Sequence, residues 1–179
     1  MAQTPAPQTE MTPGDAPVLQ TTIADRATVA GVGLHSGHPV RMTLAPAAAD
    51  SGIVFVRTDL DNAEVPALWD RVTDTMLCTR ITGDEGVDVG TVEHLMAALA
   101  GCRIDNLRIE VDGPEVPIMD GSSEAFVQLI DQTGVQLLSS ERRAIKILKT
   151  IEIEQDGKLA RLEPADRFEL NFEIDFDHA

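Results

Sequence analysis

The 179-residue chain carries 14 Lys and Arg against 30 Asp and Glu, a formal net charge of -16, and this acidity excludes a nucleic-acid module, whose affinity comes from cations neutralising phosphates. Hydrophobic residues make up 43% of the chain but aromatic ones only 3%, so any core is assembled from Val, Ile, Leu, Ala and Met; the length suits one ordinary domain or two small ones. No stretch approaches the roughly 18 consecutive apolar residues of a membrane span.

Residues 1–20 hold Pro5, Pro7, Pro13 and Pro17 among Ala, Thr and Gln, without a basic start or an apolar run. The segment reads as a disordered leader, not a signal peptide. Cys78 and Cys102 have no CxxC spacing, which favours reduced thiols in a cytosolic compartment.

From Thr22 to Val29 the pattern predicts a strand. The run Gly31-Val32-Gly33-Leu34-His35-Ser36-Gly37 predicts a glycine-punctuated turn, and the alternation of Val40, Met42 and Leu44 predicts the second strand of a hairpin. The turn lacks the GxxxxGK[ST] phosphate-binding pattern, and His35 and His38 have no Cys or carboxylate partner in register for a metal site. A strand over Gly52–Val56 precedes an irregular stretch around Pro66 and Trp69. Residues 74–81 and 87–89 are then expected to pair across the Gly83–Gly86 turn.

The segment Gly90–Gly101 predicts an amphipathic helix with Thr91 as N-cap, Val92, Leu95, Met96 and Leu99 on one face, and Gly101 as the stop. Glu93 and His94 project away from that apolar face, at the helix end whose positive field favours an ionised acid and the uncharged imidazole that ligates metals. A carboxylate beside a metal-bound water is placed to take its proton. Equally, an acid in a first turn is ordinary dipole chemistry, and one histidine falls short of the roughly three protein ligands of a catalytic zinc.

Asn106–Val111 alternates as a strand with one wet face. A second helix follows, capped by Ser122 or Ser123, with Phe126, Leu129 and Ile130 inward and Gly134 closing it. Together these elements predict a two-layer α+β sandwich over residues 21–140, a mixed sheet with two helices on one face. Residues 144–179 carry further strands, including 168–176, with no helix to cover them. They read as the incomplete start of a second α+β domain.

Several strings occur in order: Gly31–Gly37, Asp74-Thr75-Met76-Leu77-Cys78-Thr79, Thr91-Val92-Glu93-His94-Leu95, Ile104-Asp105-Asn106, Glu115–Ser122 and Ile174-Asp175-Phe176-Asp177-His178. Their succession resembles the UDP-3-O-acyl-N-acetylglucosamine deacetylase family. The resemblance implies a zinc (Zn2+) amidase of lipid A synthesis in the Gram-negative cytoplasm, at the inner-membrane face, built from two similar α+β domains. It implies that His94 is a zinc ligand and Glu93 the general base. It also implies that Leu34, His35, Met76 and Cys78 lie near the substrate or its acyl chain, and that Asp175 and Phe176 receive the uracil ring. On the residues alone, Phe176 also fits a core strand position and Cys78 a small buried hydrophobe.

The family's other zinc ligands, in an HKxxD segment, its second catalytic histidine and its oxyanion-stabilising threonine come later than any residue here. The expectation is therefore an N-terminal fragment, inactive alone, whose missing C-terminal half completes the site. The alternative is a short non-catalytic binding or regulatory homologue.

Overall fold

The alternation in residues 39–46 and 107–111 determines the centre of the molecule. Met42 and Leu44 of β3 (Pro39–Pro46) and Leu107, Ile109 and Val111 of β9 (Leu107–Val111) are fully buried on one side of the sheet. Burying each such side chain is worth about 1.5–3 kcal/mol. The computed structural model describes residues 18–175, in two compact units that divide between Arg142 and Arg143.

In the first unit, β2 (Ala27–Val32), β3, β9, β4 (Ile53–Arg57) and β5 (Ala63–Pro66) form a five-stranded sheet in the order β2-β3-β9-β4-β5. The β4–β9 pair is parallel and the others antiparallel, so the sheet is mixed. The helices α1 (Glu93–Gly101) and α2 (Glu124–Thr133) supply Leu95, Ala98, Leu99, Phe126 and Ile130 to the same buried cluster as Met42, Leu44, Phe55 and the inward residues of β9. The first unit is thus an α+β fold with its core between sheet and helices, as expected. A three-stranded antiparallel sheet of β6 (Val72–Asp74), β7 (Arg80–Thr82) and β8 (Asp88–Val89) leads into α1.

Several local expectations are corrected. The single strand over Thr22–Val29 is two: β1 (Leu19–Ile23) ends where the Ala24 N–H donates to the Gly134 carbonyl and Asp25 Oδ1 accepts the Arg26 N–H. The chain then changes partner, because β1 pairs with β10 (Val135–Glu141), a strand not anticipated, as β5 was not. Leu19 and Gln20, expected in the leader, belong to β1; residues 1–17 lie outside the described residues. Residues 75–79, expected in a strand, form a loop between β6 and β7 with Leu77 at φ 65°.

Both ends of α1 differ from expectation. Thr91 does not cap it: Val92 occupies the N-cap position with no side-chain cap. Gly101 is the last helical residue rather than the stop. The left-handed residue is Arg103 (φ 58°), with Ile104 N–H to Leu99 O at 2.9 Å and Arg103 N–H to Ala100 O at 3.2 Å, the paired bonds of a Schellman ending. The buried Ile104 and Leu99 supply its usual apolar contact. At α2 the serine expectation divides. Ser122 Oγ accepts the Glu124 N–H at 3.1 Å, whereas the Ser123 hydroxyl donates to the His94 carbonyl at 2.9 Å. Gly134 closes α2 at φ 74°, as expected.

In the second unit β11 (Ile151–Gln155) and β12 (Lys158–Leu162) form an antiparallel hairpin around Asp156-Gly157. Ile151, Ile153, Ala160 and Leu162 share one exposed face. The strand expected over 168–176 is corrected: residues 168–175 have no regular secondary structure, and Phe176 lies outside the described residues.

Candidate active site

Three segments meet at the start of α1, and the acid of one of them joins the other two. Residues 114–118 run between Gly90 and the end of β2. Gly90 N–H donates to Pro114 O at 2.8 Å, Val116 N–H to Gly90 O at 3.1 Å, and Ile118 N–H to Val32 O at 3.0 Å. This course buries Glu115 to 3% exposure and points its carboxylate into the Gly33–Gly37 turn. Oε1 accepts the Ser36 N–H at 2.6 Å. Oε2 accepts the His35 N–H at 3.0 Å and the Thr91 hydroxyl at 3.1 Å.

Burial pushes the Glu115 carboxyl up, but the His35 and Ser36 donors and the Thr91 hydroxyl more than reverse this, and the group stays below the ordinary carboxylate value. A side chain at Gly33 would force its neighbours to shift. A Cβ there would lie 2.4 Å from Ser36 Oγ and 2.9 Å from Glu115 Oε1.

Thr91 is 1% exposed and takes φ 57°, so its side chain turns inward to Glu115 instead of over the helix end. Glu93 and His94 follow it, half-buried. Glu93 Oε2 accepts the Thr79 N–H at 3.0 Å, while Oε1 has no hydrogen-bond partner among the described residues. That free oxygen can take a proton. Across from His94, Asp120 is held below the ordinary carboxylate range by the Ser122 N–H and hydroxyl, with a smaller electrostatic pull from His94.

The expected site residues are therefore distributed as follows. Exposed Leu34 and His35 sit in the turn that Glu115 ties to Thr91. Exposed Met76 and buried Cys78 sit in the 75–79 loop, anchored to Glu93 through Thr79. Both loops thus converge on the first residues of α1. Asp175 belongs to the second unit, and Phe176 lies outside the described residues. At the sequence level Glu115 has no site role and Thr91 is only a helix cap. The available signal was a single acid in the otherwise apolar run Pro114–Met119, a pattern of a buried, partnered carboxylate.

Among the described residues no three His, Cys, Asp or Glu side chains converge as a metal site. A histidine such as His94 would supply one donor where a catalytic zinc takes about three.

The model of the UDP-3-O-acyl N-acetylglycosamine deacetylase family matches residues 20–179. A protein of Anaeromyxobacter sp. (strain Fw109-5), named UDP-3-O-acyl-N-acetylglucosamine deacetylase, is 55% identical over 159 residues, 89% of this chain and 52% of its own length. Proteins of the same name from Shewanella halifaxensis and Vibrio cholerae (strain O395) are 48% and 49% identical over 162 residues, 90% of this chain and 53% of theirs. The chain spans about half the length of the curated relatives it matches. With the matched segment running through both loops, α1 and the Glu115 strap, the chain belongs to the UDP-3-O-acyl-N-acetylglucosamine deacetylase family.

Proposed function

We propose that this chain supplies the acid and one metal-ligating histidine of an enzyme that deacetylates UDP-3-O-acyl-N-acetylglucosamine in lipid A synthesis. The remaining donors would lie in the half of the relatives' length that this chain does not span. The observation that carries the reading is Glu93. One oxygen is fixed by the Thr79 N–H, the other has no partner among the described residues, and His94 stands beside it at the junction of two loops.

In this reading Glu93 accepts, at Oε1, the proton of the water that attacks the acetamide carbonyl. The C–N bond then breaks as the departing nitrogen takes up that proton, giving acetate and the amine and returning Glu93 to its carboxylate. Holding Oε2 fixes the direction of Oε1, the positioning that general-base catalysis needs. Leu34, His35, Met76 and Cys78 line the substrate or its acyl chain, and Asp175 and Phe176 receive the uracil ring. Zinc is the metal assigned to the completed site, with His94 as one ligand; the chain by itself is inactive. No helix among the described residues is long and apolar enough to cross a membrane, and the proposed place of action is the cytoplasm, at the inner-membrane face.

The test is acetate release and metal content in the full-length polypeptide, with E93Q and H94A. E93Q should lower kcat by about 10²–10⁴-fold, the usual worth of a general base. H94A should lower both turnover and bound zinc. Full turnover and metal content in H94A would end the proposal.

A further inference from the structure

We infer that Glu115 is a positioning residue for the reaction: its buried carboxylate ties the Gly33–Gly37 turn to the residue that opens the Glu93/His94 helix, so that the two move as one piece. The inference rests on the deacetylase reading of Glu93 and adds a residue whose carboxylate is engaged by the turn and by Thr91.

Its basis is connectivity. Leu34 and His35 sit at the tip of a turn whose base, at Val32 and Gly33, is bridged to Pro117 and Ile118. Gly33 N–H bonds the His38 carbonyl and Gly37 N–H bonds the Gly33 carbonyl, both internal to the turn. Backbone bridges of the 114–118 segment to Gly33 and to Gly90 hold the base of the turn, and the Glu115 side chain carries that connection on to the turn's tip at His35 and Ser36 and to Thr91. Two of its three donors, the His35 and Ser36 N–H groups, belong to the turn, and the third, the Thr91 hydroxyl, stands two residues before Glu93.

The carboxylate cannot be exchanged for its isosteric amide without loss. Three donors converge on two oxygens, and an amide offers one oxygen while its NH2 faces a donor. The glycine at 33 leaves the carboxylate its room, since any larger residue would press on Oε1. Thr91 at positive φ is held there although β-branched residues disfavour that conformation, which is what a residue fixed through its side chain shows.

Removing the tie should therefore misplace both ends. A misplacement near 1 Å costs about 100-fold in rate, and we take about 10- to 100-fold in kcat/KM as the expected loss for Glu115→Gln in the full-length protein. The loss should fall on both parameters: KM rises through the loosened Leu34/His35 turn, and kcat falls through Glu93. Amide hydrogen exchange at His35 and Ser36 should accelerate. Thr91→Val cuts only the helix-side link. It should lower kcat with little change in KM and leave those two amides slow.

A wild-type protein that releases no acetate would overturn the deacetylase reading itself. An active wild type whose E115Q variant keeps normal kcat and KM would overturn the positioning role, whatever its thermal stability. Should E115Q fail to fold, T91V decides: unchanged kcat at normal folding refutes the tie.

Discussion

Replacing Thr91 by Val isolates one hydrogen bond with little else altered. Both residues are β-branched, so the strain of φ 57° is common to wild type and variant, and the shape of the buried side chain is kept. What disappears is the hydroxyl's bond to Glu115 Oε2, 3.1 Å long in a buried setting. Hydrogen bonds to charged groups are worth about 1.5–3 kcal/mol. Oε2 retains the His35 N–H and Oε1 the Ser36 N–H, so the carboxylate is not orphaned and the loss falls near the lower end, about 1.5 kcal/mol. With a urea slope of about 1.5 kcal/mol/M, the unfolding midpoint of the chain should drop by about 1 M.

Far-UV circular dichroism reads the transition, since Trp69 is 89% exposed and its fluorescence would report little. Thr91→Ser is the control: it keeps the hydroxyl and loses one buried methyl, about 0.8 kcal/mol, so its shift should be roughly half as large. A T91V midpoint within about 0.2 M of wild type, or a T91S shift larger than that of T91V, would refute the reasoning.

The pH dependence follows from the carboxylates. Glu115 and Asp59 both titrate below their ordinary values of 4.5 and 3.8, Glu115 because the His35 and Ser36 amides and the Ser36 and Thr91 hydroxyls outweigh burial and Asp59 chiefly because Arg57 grips it through two hydrogen bonds. A depressed folded value contributes stability above the ordinary value and loses it as pH falls through the folded one. The stability difference between wild type and E115Q should therefore shrink as pH is lowered from 6 towards 3 in urea titrations; a constant or growing difference would contradict it. Gly134→Ala should cost about 1–3 kcal/mol by thermal or urea unfolding. The position has φ 74° and ψ 168°, and the nearest atom to an added Cβ is 3.7 Å away, so the loss is conformational and not steric. Phe126→Ala, removing a side chain 1% exposed under α2, should cost about 3–5 kcal/mol in the same assay.

What could be read from the sequence was whatever is governed by neighbours a few residues away. The strand β3, β9, and α2 with its glycine ending each carry their period in consecutive residues, and each is found within a residue or two of its expected bounds. The misjudged elements depend on distant partners. β10 has three exposed residues at its start and exists because β1, more than a hundred residues earlier, pairs with it. Thr91 has the chemistry of a cap, yet the side chain of Glu115 engages its hydroxyl from across the fold. Arg103 fills a position that glycine usually takes, because the buried Leu99 and Ile104 close the turn around it. At the candidate site the same division holds. Glu93 and His94 stood out from helix spacing alone, whereas the ties from Thr79 and Glu115 arise only once the loops are folded together.

The central place of β9 has a consequence for biosynthesis. Its partners β3 and β4 lie in hairpins that can close while the chain is still emerging, β3 with β2 and β4 with β5, but the strand that joins them is encoded about 45 residues after β5 ends. At about 5–20 residues per second, the nascent polypeptide carries two half-built ribbons with open hydrogen-bonding edges for roughly 2–9 s. During that interval a ribosome-associated chaperone, or a neighbouring nascent copy, meets the same unpaired backbone that β9 will later claim.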